Sequence, residues 1–133
     1  MDDIEIYIRE PVLKKLLGWL KSRLGPLQEL GPGQPGAGRS KGARVYTTLE
    51  WQPPIPIHIQ AGIEGGPYTC LWFKSAHTPW RTDAECAREV FAALGVPVQC
   101  DPGQEYEHQD DFLRIDGSGE RVVRLPGGRL GSQ

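Results

Sequence analysis

Residues 3–24, DIEIYIREPVLKKLLGWLKSRL, decide how this chain is read. Ile4, Ile6 and Ile8 alternate with Glu5, Tyr7 and Arg9. A period of two marks a strand with one buried face. The pattern changes at Pro11, which suits a first helical turn because its missing N–H would have no partner there. Leu13, Leu16, Leu17, Leu20 and Leu24 then recur at helical spacing, with Lys14, Lys15, Lys21, Ser22 and Arg23 on the other side. A strand running straight into an amphipathic helix sets both apolar faces on one core. Gly25-Pro26 predicts the stop of that helix, with room for one more turn over LQEL at 27–30.

Working outward, residues 31–42, GPGQPGAGRSKG, are too rich in glycine and proline to contribute to a core and read as a flexible loop. The phosphate-loop pattern GxxxxGK[ST] is missing from it. Val45 to Trp51 predicts a strand, and Pro53-Pro54 a turn. Ile55, Ile57 and Ile59 predict a second strand, which the neighbouring prolines place at a sheet edge or beside a bulge. Tyr68 to Lys74, YTCLWFK, is apolar on both faces and reads as a central strand. Thr82-Asp83-Ala84-Glu85 forms a capping box at the head of a second helix. Ala84, Ala87, Val90, Phe91 and Leu94 give that helix its core face, and Gly95 ends it. Val96-Pro97-Val98 is a short extended piece. Phe112–Ile115 and Arg121–Leu125 predict a hairpin about Asp116-Gly117-Ser118-Gly119.

The expected order is β-α-β-β-β-α-β-β. It describes a single α+β domain over 1–125, an antiparallel sheet with two helices packed on one face, followed by a glycine-rich tail at 126–133. The pattern approaches the split βαβ arrangement of ferredoxin-like folds.

The totals narrow the function classes. A chain of 133 residues can build a core without metal or disulfide. A net charge of −2 gives no global field for nucleic acid. No apolar run approaches the ~20 residues of a spanning helix. The N-terminus, MDDIEIYIRE, is acidic and alternating rather than a signal peptide. Cys70, Cys86 and Cys100 are odd in number and form no CxxC pair, so reduced thiols in a cytoplasmic protein are expected. No catalytic residue, metal site or cofactor is expected from any motif.

Two segments carry the candidate binding residues. The first is the acidic run Glu105, Glu107, His108, Asp110, Asp111, whose spacing fits neither an EF-hand nor a HxxxH site and which reads as a docking surface for a basic partner. The second is the loop of His77, Trp80 and Arg81 before the capped helix, where Trp80 either packs over the helix start or, if exposed, marks a contact, and where the free helical N–H groups favour an anion. Cys100, beside Asp101 in a polar stretch, is a candidate exposed thiol. The expected function is a small non-catalytic module that docks on a larger protein through these two segments. The competing expectation is a small-ligand (anion or metabolite) binder or small enzyme with a pocket on the aromatic side of the sheet, anchored by His77, Arg81 or His58.

Overall fold

The computed structural model describes residues 3–31, 43–103 and 110–124. Residues 32–42 of the expected 31–42 loop, Glu105, Glu107, His108 and the expected tail from 126 lie outside the described residues.

The elements are β1 (Ile4–Arg9), α1 (Leu13–Leu24), β2 (Leu27–Leu30), β3 (Ala43–Thr48), β4 (Pro56–Gln60), a short 3-10 turn (Ile63–Gly65), β5 (Tyr68–Phe73), α2 (Asp83–Leu94), β6 (Val98–Cys100), β7 (Asp111–Asp116) and β8 (Gly119–Arg124). All strands join one antiparallel sheet in the order β2-β3-β4-β5-β1-β6-β7-β8. The α+β class and the two-helix arrangement are therefore as the sequence reads. Two further short strands join the expected ones. LQEL is β2, paired with β3, rather than an extra turn of α1. Gly25, at φ 80°, breaks the helix and redirects the chain. The piece after α2 becomes β6, paired with β1 and β7.

Three central strands, β5, β1 and β6, have the split βαβ arrangement. β5 and β6 both run antiparallel to β1, which lies between them, and α2 is the crossover that joins them. β4 lies inside the sheet, not at its edge, because Pro56 is its first residue and Pro53 and Pro54 stay in the turn before it.

The core lies between the helices and one sheet face. Ile4, Ile6 and Ile8 from β1 meet Leu71 and Phe73 from β5, Leu16 and Leu20 from α1, and Ala87 and Val90 from α2. A fully buried leucine such as Leu20 contributes about 2 kcal/mol of transfer energy. Val45 to Trp51 does not continue as one strand. The chain leaves the sheet after Thr48, and Trp51 folds back so that its Nε1 donates to the Leu24 carbonyl at the end of α1, 3.0 Å away.

Candidate functional site: the helix-free face of the sheet

Strand register decides which side chains share the face that, among the described residues, no helix covers. β1 buries its isoleucines, so Glu5 and Tyr7 point away from the helices. Across from them on β5 stand Trp72 opposite Glu5 and Cys70 opposite Tyr7. The next strand adds His58 opposite Trp72 and Gln60 opposite Cys70. YTCLWFK is thus split between faces, with Leu71 and Phe73 in the core and Cys70 and Trp72 half-buried on the other side.

Trp72 is the centre of this face. Its Nε1 donates to Asp3 Oδ2 at 3.0 Å, the His58 ring lies 5.0 Å from it, and Lys74 Nζ sits 5.5 Å from its centroid. Asp3, Glu5, Trp72 and Asp83 enclose an open hollow of about 460 Å³. Asp83 opens α2, and its Oδ1 accepts from the Glu5 backbone N–H at 3.2 Å, which ties the head of α2 to the end of β1. A second hollow, about 280 Å³, lies alongside, lined by Tyr7, His58, Gln60, Ile63, Cys70 and Trp72 among others.

The electrostatics of this surface oppose nucleophilic chemistry. Burial and then the Glu5 carboxylate push the Cys70 thiol well above its ordinary range, and the thiol donates to Glu5 Oε2 at 3.4 Å. Burial and Glu5 also raise the Tyr7 hydroxyl. Burial, helped by Lys74, lowers His58, which favours a neutral ring at neutral pH. A thiol held protonated is a poor nucleophile.

Further along the face lies a buried polar cluster. Gln99 on β6 is fully buried, with its amide against the Tyr68 hydroxyl at 2.6 Å. With the amide oxygen turned inward it accepts from that hydroxyl and from Arg114 Nε at 2.9 Å. Tyr7, Ile63, Phe112 and Val123 close over Tyr68, and Tyr7 meets Phe112 edge-on at 6.3 Å.

Of the sequence-predicted site residues, the described ones, His77, Trp80, Arg81, Asp110 and Asp111, do not converge on one site. Trp80 is a core residue, 5% exposed, which bears out its packing and removes it as an exposed contact. It stacks on Trp19 at 5.6 Å, packs against Phe73 at 4.8 Å, and donates from Nε1 to Glu89 at 3.0 Å. The reason is α1, whose Trp19 lies just off the leucine stripe and offers an indole-sized platform. Partial burial alone would raise the Glu89 carboxyl, but Arg23 and Trp80 donate to it and hold it below the ordinary value. His77 and Arg81 remain exposed in the loop. The head of α2 is occupied by the chain's own groups. Thr82 accepts from Glu85 N–H at 3.1 Å, and Glu85 reaches back to Arg81 N–H at 3.0 Å. Asp110 precedes β7, and Asp111 accepts from Arg124 at 2.8 Å on the helix side of the hairpin. Cys100 is fully buried, because it stands on the core face of β6 between Ile6 and Leu113, and burial first of all pushes its thiol up. Among the described residues no group of three or more His, Cys, Asp or Glu is placed to hold a metal ion, and no helix is long and apolar enough to cross a membrane.

Sequence reasoning missed the combination of Glu5, Tyr7 and Trp72. The alternation of β1 carries the signal for the first two: if the isoleucines face in, Glu5 and Tyr7 face out. No family model, curated protein or solved structure matches the chain.

Proposed function

We propose that this chain is a non-catalytic cytoplasmic docking module that binds a larger, basic protein through the helix-free face of its sheet. The observation that carries this reading is Trp72, a half-buried tryptophan on the uncovered face, set among Asp3, Glu5 and Asp83 around the 460 Å³ hollow. Half-exposed indoles make strong interface anchors, since one ring buries a large area at little entropic cost. The carboxylates set the sign of the partner, and the ring already carries a cation, Lys74, near its face. Glu105, Glu107 and Asp110 of the acidic run add negative charge to the same chain and take part in steering. Neither nucleic acid nor a membrane is the expected partner.

The test is affinity capture by the full chain from its native lysate, comparing wild type with Asp3→Asn, Glu5→Gln and Trp72→Ala. A stoichiometric basic protein that is released as salt rises, and is lost in the three variants, supports the reading. Capture unchanged by all three overturns it. The neighbouring 280 Å³ hollow supports a second reading, a small-ligand site lined by Tyr7, His58 and Trp72. A shift of tryptophan emission on adding a metabolite library, absent in Trp72→Ala, would favour it.

A further inference from the structure

The outer edge of β8 is the longer of the two sheet edges, six residues against four in β2. Its hairpin closes through Asp116 paired with Gly119, a two-residue connection. That closing pair is hydrogen-bonded, and hydrogen-bonded and open pairs alternate along an antiparallel ladder. Arg121 and Val123 therefore bond back to β7, while the N–H and C=O groups of Glu120, Val122 and Arg124 point outward. Among the described residues no strand pairs with this edge.

The side chains along the edge follow a pattern. Glu120, Val122 and Arg124 project on the helix side, where Glu120 accepts from Arg88 at 2.8 Å and Arg124 donates to Asp111 at 2.8 Å. Val122 between them is an exposed large hydrophobic residue. Charges on an edge usually protect it from pairing, because a second strand would bring like against like or leave them unmatched. This edge has the opposite property toward itself. In an antiparallel pair of two β8 strands centred on Val122, Val122 meets the other copy's Val122, and Glu120 meets Arg124 on both sides of the two-fold axis. All three residues with outward backbone groups then fall in hydrogen-bonded pairs. Each flank becomes an alternating row of charge, Asp111, Arg124, Glu120 and Arg88, drawn from both copies. The helices do not obstruct this, since α2 packs on β1, β6 and β7 and both β8 strands lie between the two copies of α2.

We infer that β8 is a self-association edge, through which two copies join in an antiparallel β8–β8 pair and form one continuous sheet. This site is separate from the helix-free face and independent of the docking reading.

The test is sedimentation velocity of the full chain over a concentration series, with three variants. Wild type is expected to dimerise reversibly. Glu120→Lys sets Lys against Arg124 twice, and Arg124→Glu sets Glu against Glu120 twice, so each alone is expected to associate on the order of 10-fold more weakly or not at all. Mixed in equal amounts, the two restore both opposite-charge pairs, and a heterodimer is expected. Val122→Pro removes an outward N–H without touching the bonds to β7, and it too is expected to be monomeric. The substituted side chains, Glu120 and Arg124, are both exposed, and circular dichroism checks that each variant is folded. A monomeric wild type, or a dimer unaffected by the single variants, overturns the inference, as does a mixture that stays monomeric.

Discussion

Trp80 lies in a loop of Ser, His, Thr, Pro and Arg, whose polarity alone points to exposure, yet its indole fills the space between Trp19 and Phe73. Its only polar atom is satisfied by Glu89. Trp80→Ala is expected to cost about 3–5 kcal/mol, read as a lower urea midpoint, while leaving partner binding intact once folding is accounted for. A loss below about 1 kcal/mol would contradict this packing role. Cys70 illustrates the opposite case, a partly accessible residue made inert by its surroundings. Burial and Glu5 favour its protonated thiol. Alkylation of Cys70 at neutral pH is expected to be slower than that of free cysteine, and Glu5→Gln is expected to speed it by removing the opposing charge. An unchanged or slower rate in Glu5→Gln, followed by mass spectrometry, would contradict the cause assigned.

The β7–β8 hairpin is held at its tip by Asp116. The Ser118 hydroxyl first, then Arg121, hold this carboxyl at about 2 against an ordinary 3.8. A carboxyl depressed in the folded state contributes stability that is fully present above its ordinary value. That contribution is lost as pH falls from about 4 through about 2. A carboxyl titration by NMR is expected to show Asp116 near 2, moving up in Arg121→Ala. Titration at the ordinary value in the wild type would contradict the geometry. Elements of this kind were legible from sequence where period and turn chemistry agree. β1, α1, the capped α2 and this hairpin all follow from local pattern. β2 and β6 were not, because four and three residues are too few to show a period, and pairing with β3, β1 and β7 alone defines them. The start of β4 was misread for a related reason. Proline signals an edge only when it stands within the ladder, and Pro56 stands at its end.

At the scale of the whole molecule, the two helices of the described residues cover one face of their eight-stranded sheet and leave the other to Trp72, His58, Tyr7 and their carboxylates. This asymmetry was legible in outline, since the isoleucine alternation of β1 requires two unlike faces. The site itself was not, because Asp3, Glu5, Trp72 and Asp83 are far apart in the chain and only the β1–β5 register and the tie from Asp83 to β1 bring them together. The central claim is that this face, and not the helical side, receives the partner. The most direct measurement keeps Trp72 and places a photo-crosslinking amino acid at position 60, on the same face opposite Cys70, in one protein and at position 15, on the exposed side of α1, in another. Both are then irradiated in the native lysate. One basic protein is expected to crosslink from position 60 and none from position 15. Crosslinking from position 15 alone, or from neither, would contradict the claim.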